Sequence, residues 1–559
     1  MNKSLLALAT ASLLAAGSAN AADIVLLNLD APGVGLNSTV PATPVGGNPG
    51  TTRGQQATYV YEFAMKMWGG IVESPVQIKV YASFAPLSCT STSGTLGSAG
   101  TNWLVLLNDG NKSRIYGSAL ADALLGYDVF PDPSDPADIS SRFNGNLGDP
   151  GCLDGSGWYF GLDGNTPAGK INFLNVVMHE ISHGLGAQGF LNKSTGALNA
   201  GYSDAYTRYA YDNVLNKGFE DMTNSQRATA MKTPGRTVWT GPNVTGQAPL
   251  VLSKRNTLRP TAPVAIAGKD YEVGYAFFGP AATPANFTNR GMVLIDDGNV
   301  GSGTITDGCS ANGSATTLGD TIVYANAAAV AGKIALIDRG LCSFEYKAKI
   351  AQDNGAVAVV ILNNTAGVID MAAVSPSTGV SIPTIMVSQA DGAEIKANLS
   401  GAAAGLLLSN LMAGTDGGAR VRLYSPTVVA SGSTFSHFDT VLSPNALMEP
   451  NITDTLMAQF NVDLTPALFE DIGWTLNPGN GEFANCNTGV DAYDLGGIVL
   501  GANVEATNDL CLSSTSTRSK YQACMTSYKN DMLASRLITS TQASKIATCI
   551  KRQVDQYGR

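Results

Sequence analysis

The spacing of apolar residues predicts a mixture of helices and strands over the first third of the chain. Tyr59, Phe63 and Met67 recur at intervals of four within residues 55–68, which is typical of one face of a helix. Residues 76–82 alternate apolar and polar side chains, as a half-buried strand does, and residues 138–144 show a second, shorter strand pattern. Apolar residues at spacings of three and four then predict a strong helix over residues 171–183.

The pattern changes over residues 261–410, where strand-like and helix-like segments alternate. The strand patterns lie at 333–338, 356–362 and 382–387, and the helix patterns at 343–354 and 390–399. This alternation predicts a small α/β module with parallel strands. Strand and loop patterns resume after residue 414. A linker rich in Pro, Gly and Asn follows at 476–481, and helical patterns occupy 521–537 and 542–554.

Composition and the N-terminal residues predict an exported globular protein. Of the 559 residues, 44% are hydrophobic, and 34 basic against 44 acidic residues give a formal charge of −10. No dense Lys/Arg run occurs, which argues against nucleic acid or an anionic membrane as the main partner. Residues 1–21 have the pattern of a signal peptide, with Lys3 before an apolar run that is too short to span a bilayer. We therefore expect a secreted, extracellular protein of the kind that bacteria export, without a transmembrane anchor.

The cysteine content agrees with export. The chain has eight cysteines, an even number, and no Cys-x-x-Cys pair, which favours disulfides over thiolate metal sites in an oxidising compartment. Sequence order suggests a pair of 89 with 152, a pair of 309 with 342, and two more pairs among the last four, although order does not fix the connectivity. The candidates are Cys89, Cys152, Cys309, Cys342, Cys486, Cys511, Cys524 and Cys549.

The strongest chemical signal is a His-Glu-x-x-His motif on the helix predicted over residues 171–183. His179 and His183 are one helical turn apart on the same face and can bind one Zn²⁺. Glu180 projects beside them, where it can take a proton from a water molecule that the metal activates. A chain with this content of His and Glu contains such a motif by chance about once in 5,000 cases. The alternative is a core helix whose histidines form only hydrogen bonds.

A catalytic zinc requires a third protein ligand and one open position. In its short form, the motif is extended by a third histidine that lies six residues after the second histidine. Here that position is Gly189. The residues themselves leave several candidates for the third ligand: Asp204, Asp212 and Glu220 offer carboxylates, and His437 is the one remaining histidine of three in the chain.

A second motif surrounds His437, where the sequence reads Ser-Thr-Phe-Ser-His-Phe-Asp and continues six residues later with Asn-Ala-Leu-Met-Glu-Pro. Together with the first motif it resembles the leishmanolysin family of metzincin zinc peptidases, in which a Ser-His-Trp-like segment precedes a Met-x-Pro turn. The resemblance implies that His437 is the third zinc ligand and Met448 the Met-turn residue under the site. It also implies that the chain leaves the helix at Gly186, since glycine tolerates a positive φ. Phe438 replaces the family tryptophan, and we expect Asp439 to orient a ligand.

A third motif lies in the α/β module. The sequence Gly-Lys-Ile-Ala-Leu-Ile-Asp-Arg-Gly-Leu-Cys-Ser-Phe, starting at Gly332, is followed by a helix and a buried strand. This resembles a protease-associated (PA) domain, a class of domain that is usually non-catalytic and influences substrate access or partner binding. A disulfide between Cys309 and Cys342 fits this resemblance, as a bridge that pins a loop of the domain. An inert insertion is the alternative.

Two further features have competing explanations. Stretches rich in Asp, Gly and Asn at 144–149, 153–155 and 162–165 are candidates for Ca²⁺ binding, but none fits an EF-hand loop and turn chemistry explains them equally well. The strand at 138–144 is a candidate edge strand that pairs with an extended peptide substrate. An ordinary hairpin is the alternative.

These patterns predict an α+β metzincin-like catalytic domain that is split by an inserted α/β PA domain. The catalytic parts are residues 22–260 and 411–475, the PA domain is 261–410, and a small, mostly helical, Cys-containing region occupies 476–559. The predicted function is a zinc endopeptidase that hydrolyses proteins or peptides with Glu180 as general base. The PA domain is expected to contact substrate or partner proteins. The alternatives are a non-catalytic secreted binding protein with a structural zinc, and a zinc hydrolase with a carboxylate as third ligand.

Overall fold

The computed structural model describes residues 21–110, 112–298, 303–309, 322–365 and 367–556, together with the backbone of residues 7–8. The predicted signal peptide at 1–21 lies outside the described residues except at residues 7–8 and Ala21. The chain divides into two compact units. Unit 1 comprises Met1–Leu252 and Gly414–Arg559, and unit 2 is the inserted segment Ser253–Ala413.

The N-terminal part of unit 1 carries most of the elements that surround the two motif histidines. Its helices are α1 (Arg53–Ile71), α2 (Ser118–Leu125), α3 (Phe173–Gly184), α4 (Asn224–Ala230) and α5 (Pro242–Val251). Its strands are β1 (Ala7–Leu8), β2 (Ile24–Asn28), β3 (Ile78–Ala85), β4 (Gly97–Thr101), β5 (Leu104–Asn108), β6 (Ser113–Gly117), β7 (Ile139–Asn144), β8 (Trp158–Tyr159), β9 (Ile171–Asn172), β10 (Ala210–Asp212), β11 (Lys217–Gly218) and β12 (Thr237–Trp239).

The motif helix α3 begins two residues later than the apolar pattern predicts. Ile171 and Asn172 form the short strand β9, which pairs with β8. The side chain of Asn172 then accepts a hydrogen bond from the backbone N–H of Asn175 and so caps the helix. Such a cap supplies a partner for one of the N–H groups that the first helical turn leaves without one.

The central sheet of unit 1 has the strand order β2-β3-β7-β4. Strands β2, β3 and β7 run parallel, and β4 runs antiparallel to β7. The strand predicted at 138–144 is therefore present as β7, but the expectation that it forms an edge is wrong. Its backbone pairs with β3 on one side and with β4 on the other, and Ile139, Ser141 and Phe143 on one of its faces are buried. The edge strand on this side of the sheet is β4.

Helix α3 packs against helix α1 and against strand β7. The indole Nε1 of Trp68 on α1 donates a hydrogen bond to the carbonyl oxygen of Met178, at 3.1 Å. The ring of Phe173 at the start of α3 packs against Phe143 of β7 with the ring centroids 4.9 Å apart. All residues of α3 are buried, and these contacts help to hold the helix from which His179 and His183 project.

Unit 2 is a mixed α/β unit built on one sheet. The strand order is β14-β13-β20-β16-β17-β18-β19-β15, in which β16 to β19 are parallel. The first and last of its strands, at 254–262 and 403–412, extend the unit beyond the predicted limits of 261 and 410. The strands are β13 (Lys254–Ala262), β14 (Tyr271–Glu272), β15 (Gly274–Tyr275), β16 (Arg290–Leu294), β17 (Ile334–Asp338), β18 (Ala358–Leu362), β19 (Thr384–Val387) and β20 (Ala403–Met412), and the helices are α6 (Ala327–Val330), α7 (Phe344–Asp353) and α8 (Gln389–Ala397).

The C-terminal part of unit 1 contains α9 (Thr465–Ile472), β21 (Asn480–Phe483), β22 (Cys486–Asp491), α10 (Leu500–Ser514), α11 (Arg518–Ala534) and α12 (Ser540–Gln556). Helix α10 packs on α1, where Lys66 and Asp509 form an ion pair at 3.1 Å. The region from 476 onward therefore belongs to the same compact unit as the histidine motif. No helix among the described residues is both long and apolar enough to cross a bilayer.

Four disulfides are present, and they use all eight cysteines. The pairs Cys89–Cys152 and Cys309–Cys342 match the pairing suggested by sequence order. The last four cysteines pair as Cys486–Cys549 and Cys511–Cys524, which ties β22 to α12 and α10 to α11.

Loss of the disulfide in unit 2 is expected to destabilise that unit alone. Cys309→Ala/Cys342→Ala opens a loop with a sequence separation of 33, which by the chain-entropy relation lowers the free energy of unfolding by about 3–4 kcal/mol. Hydrogen exchange followed by mass spectrometry should show faster exchange in β17 and β18 and unchanged exchange in α3. The control Cys511→Ala/Cys524→Ala should instead act on α10 and α11. Unchanged exchange in unit 2 would contradict this expectation.

Candidate metal centre

Three histidines from distant parts of the chain meet in unit 1. The Nε2 atoms of His179, His183 and His437 lie 3.2 Å from one another in all three pairs. His179 and His183 come from α3, and His437 from the segment after unit 2. All three side chains are buried. One metal ion can be shared by a group of at least three His, Cys, Asp or Glu side chains that lie close together. Within the described ranges, these three histidines are the only such group.

Backbone carbonyl groups fix the protonation of all three rings. Nδ1 of His179 lies 2.6 Å from the carbonyl oxygen of Leu447, Nδ1 of His183 lies 2.8 Å from that of Ala187, and Nδ1 of His437 lies 2.8 Å from that of Ser433. A carbonyl oxygen only accepts hydrogen bonds, so each Nδ1 carries the proton and each Nε2 presents a lone pair. Burial lowers the pKa of His179 to about 4 and that of His183 to about 3, which favours the neutral rings.

This arrangement fits a zinc ion. Three lone pairs that face one another cannot form hydrogen bonds among themselves, and a buried acceptor without a partner is costly. A cation between them supplies that partner. Nitrogen ligands about 2.05 Å from a tetrahedral centre are about 3.3 Å from one another, close to the observed separation. The residues present therefore suit a zinc site with three histidine ligands.

Two glycines allow the chain to turn out of α3 and bring His437 close. Gly186 has φ +118°, and a Cβ there would lie 2.8 Å from the side chain of Ile472. At Gly189, where the short motif has its third histidine, a Cβ would lie 2.4 Å from the ring of Phe435. The segment that carries His437 thus occupies the space that a side chain at position 189 would need.

Glu180 lies beside the histidines and beneath the edge strand β4. It is 7% exposed, and burial raises the pKa of its carboxyl to about 8, although a hydrogen bond with the backbone of Ala99 acts in the opposite direction. A Cβ at Gly97 would lie 2.8 Å from the side chain of Glu180, so glycine at this position lets β4 approach closely. Glu180 is placed where it can exchange a proton with a molecule in the cleft beside β4.

The Met448 segment joins the two motifs through its backbone. The carbonyl oxygen of Met448 accepts a hydrogen bond from the N–H of Phe438, next to His437, and that of the preceding Leu447 accepts the bond from His179. The N–H of Leu447 in turn donates to the buried carboxylate of Asp463, at 2.5 Å. Met448 itself is buried. Sequence reasoning missed Asp463, because one acidic residue just before a helix reads as a helix cap.

Loss of the Asp463 carboxylate is expected to weaken metal binding without removing a ligand. In Asp463→Ala the peptide of Leu447 is no longer held, and His179 loses its fixed orientation. Such outer partners are worth about 10–100-fold in metal affinity, which competition with a chromophoric zinc chelator measures. The control is Asp471→Ala, because Asp471 is also buried and accepts hydrogen bonds from Trp239 and Asn243 in another part of the unit. An equal zinc affinity in both variants would refute this role.

The carboxylates considered as third ligand have other partners. Asp204 accepts hydrogen bonds from the backbone N–H groups of Phe190 and Thr207. Each of the other two pairs with an arginine, Asp212 with Arg236 at 2.7 Å and Glu220 with Arg114 at 2.6 Å. None of the three joins the histidine cluster, as judged from the residues that the structure describes.

Two other predictions concern Asp439 and the Asp/Gly/Asn-rich stretches. Asp439 is buried, and the group at Nδ1 of His437 is the carbonyl oxygen of Ser433, so an orienting role for Asp439 stays a prediction. In the Asp/Gly/Asn-rich stretches, the Asp154 carboxylate accepts from the N–H of Gly151, and that of Asp163 from the hydroxyl of Tyr159. These are turn contacts, and they leave the calcium prediction without support.

The metal centre opens into a cleft of about 820 Å³. The cleft is lined by β4 with the loop before it, by residues of the segment 431–436, and by Lys193 and Gln188. The disulfide Cys89–Cys152 holds the loop that leads into β4. A peptide in extended form can therefore lie along β4 with its backbone close to Glu180 and the three histidines.

Comparison with known proteins identifies one part of the chain. Residues 290–395 match the family model of the PA domain. A stretch of 80 residues is 35% identical to "Signal peptide peptidase-like 3" from Oryza sativa subsp. japonica, but it spans only 14% of this chain and 15% of that protein.

Solved structures give a weaker similarity. The structure of BSAP, a zinc aminopeptidase from Bacillus subtilis, is 22% identical with a TM-score of 0.18, over 30% of this chain and 36% of that one. An aminopeptidase from Aneurinibacillus sp. strain AM-1 gives 22% identity and a TM-score of 0.18, over 30% and 38%. These scores are too low to define a shared fold. The match to the PA family model does not depend on these structures, and it shows that the inserted unit contains a PA domain.

Proposed function

We propose that the protein is a zinc-dependent endopeptidase whose catalytic domain resembles that of the leishmanolysin-like metzincins. His179, His183 and His437 would hold the ion, with Met448 in the turn beneath them. One observation carries this proposal: three Nε2 lone pairs converge at 3.2 Å beside a buried glutamate. A site with three histidine ligands leaves one coordination position open for catalysis.

The chemistry divides between the ion and Glu180. When bound, the ion supplies Lewis acidity, which polarises the scissile carbonyl group and makes a water molecule more acidic. Glu180 accepts a proton from the attacking water and then donates it to the departing amine. Burial raises the pKa of the Glu180 carboxyl, whereas a divalent cation held by the adjacent histidines would favour its ionised form, which is the form that accepts a proton.

The edge strand β4 is the proposed site for the substrate backbone. Leu96 and Asn102, which flank β4, form backbone hydrogen bonds toward the β7 side with Asn144 and Asp138. Because ladder bonds alternate along an antiparallel pair, the backbone groups of Gly97 and Ala99 face away from β7 and toward the cleft. The N–H of Ala99 donates a hydrogen bond to Glu180, and an extended peptide can pair with the remaining groups of this edge by strand addition.

Two alternatives are less well supported. A structural zinc in a binding protein has no need of a buried carboxylate at position 180 beside an open cleft. A zinc hydrolase with a carboxylate ligand would need Asp204, Asp212 or Glu220, and these side chains are engaged elsewhere.

Export and partners are also part of the proposal. Disulfides persist in oxidising compartments, so four of them support a secreted, extracellular protein. Proteins or peptides are the proposed substrates, and the PA domain is proposed to contact substrates or partner proteins.

Casein digestion by the full chain tests this function. We expect cleavage at internal peptide bonds that stops when 1,10-phenanthroline removes the metal and returns when zinc is restored. A serine-protease inhibitor should leave the rate unchanged, which controls for contaminating proteases. The absence of cleavage, or cleavage that persists without metal, would overturn the proposal.

A further inference from the structure

One wall of the cleft carries a lysine that the proposed chemistry does not use. Lys193 lies in the segment that follows α3 and lines the cleft together with Ser431, Ser433 and Ser436. Among the described residues around the cleft, Lys193 is the only lysine or arginine, and Glu180 the only carboxylate.

The ammonium group of Lys193 has one hydrogen-bond partner among the described residues. Its Nζ donates a hydrogen bond to the carbonyl oxygen of Gly432, at 3.1 Å. No carboxylate in the described part of the chain forms an ion pair with it. The charge of the buried Asp204 acts on it, but that carboxylate accepts hydrogen bonds from the backbone N–H groups of Phe190 and Thr207. An ammonium group has three N–H donors, so two remain for a ligand in the cleft.

The surroundings of this ammonium favour an anion as its partner. Burial lowers the pKa of Lys193 to about 8, so the group still carries its charge at neutral pH. A partly desolvated cation gains most from a charge-assisted hydrogen bond to a carboxylate. The formal charge of the whole chain is −10, so long-range attraction does not favour acidic substrates and any preference must arise locally.

We propose that Lys193 is a specificity determinant that binds a carboxylate of the substrate next to the scissile bond. This rests on the proposed peptidase function. The carboxylate comes either from an Asp or Glu side chain or from the C-terminus of a short peptide. The hydroxyl groups of Ser431, Ser433 and Ser436 complete a polar wall around it.

Quenched fluorescent peptides built around one bond cleaved in casein test the proposal. One series places Glu, Gln or Lys at each position that flanks the bond, with an amidated C-terminus. A second series keeps Gln and compares a free with an amidated C-terminus close to the bond. Each is measured with the full chain, with Lys193→Met, and with Lys170→Met. Lys170 is an exposed lysine outside the cleft that also donates to a backbone carbonyl, that of Ser156.

The full chain and Lys170→Met should prefer the carboxylate by about 10–100-fold in kcat/KM, the range of a charged hydrogen bond. Lys193→Met should lose that preference while it still cleaves the Gln peptide, and Lys193→Glu should prefer the Lys peptide. A preference confined to the second series identifies the C-terminal carboxylate as the ligand. Equal rates in both series, or a preference that survives in Lys193→Met, would overturn the inference and leave the peptidase function standing. If the full chain cleaves no peptide at all, the proposed function fails as well.

Discussion

Glu180→Gln should lower kcat/KM for a casein-derived peptide by about 10²–10⁴-fold, the range that a general base contributes. Glutamine keeps the shape of the side chain and an oxygen that can accept the hydrogen bond from Ala99, but it cannot take up a proton. The three histidines are untouched, so the variant should retain its zinc. Activity is measured with the peptide and metal content by mass spectrometry on the same sample.

A second buried glutamate provides the matched control. Glu505 is also 7% exposed, and burial raises the pKa of its carboxyl to about 7, but it lies on α10 and bonds to the backbone of Glu482. Glu505→Gln should therefore keep full activity. Activity close to the original in Glu180→Gln would remove this residue from the proposed mechanism.

His437→Ala should abolish stable zinc binding. It leaves two of three nitrogen ligands, so the loss should exceed the roughly 10–100-fold that outer partners cost. A ligand at 100 times its Kd stabilises a protein by about 2.7 kcal/mol. We therefore expect chelation to lower the Tm of the original chain and to leave the Tm of the variant unchanged, as followed by differential scanning calorimetry.

The control for this variant is Thr440→Ala, because Thr440 is exposed and only three residues from His437. It should bind zinc as the original chain does. Zinc retained in His437→Ala would instead favour a carboxylate ligand and overturn the assignment based on the second motif.

Local periodicity predicts the elements of this protein well wherever one face of an element is buried. The helix predicted at 55–68 is present as Arg53–Ile71, and the strand patterns of the inserted module appear as β17, β18 and β19. Helix α10, by contrast, escaped prediction. Its apolar residues do not form a single stripe, since polar side chains such as Asn503 and Glu505 are buried with them. Their partners come from other parts of the chain, as when Asn503 donates to the carbonyl of Gln459.

The position of β4 shows a second limit of sequence reasoning. Its residues, Gly97–Thr101, are small and carry no alternating pattern, so nothing in the sequence marks them as a strand. They form one because β7 offers a free edge and because glycine allows close approach to Glu180. The sequence therefore predicts the edge at 138–144, which shows the clearer strand pattern.

The candidate site, too, is predictable from the sequence only in part. The motifs point to all three histidines because residue type and local spacing are what a motif records. The groups that orient them are mostly backbone carbonyls, at Leu447, Ala187 and Ser433, and a carbonyl group leaves no signature in the residue type. Asp463 and Lys193 act through contacts across the fold, so only the structure reveals their positions.

X-ray absorption at the zinc edge of the purified full chain tests the central claim most directly. All eight cysteines are in disulfides and the three histidine Nε2 atoms converge. We predict one zinc per chain with three imidazole nitrogens at about 2.0–2.1 Å and no sulfur ligand. A chain without zinc, or a spectrum with sulfur at about 2.3 Å or fewer than three imidazoles, would contradict the three-histidine site.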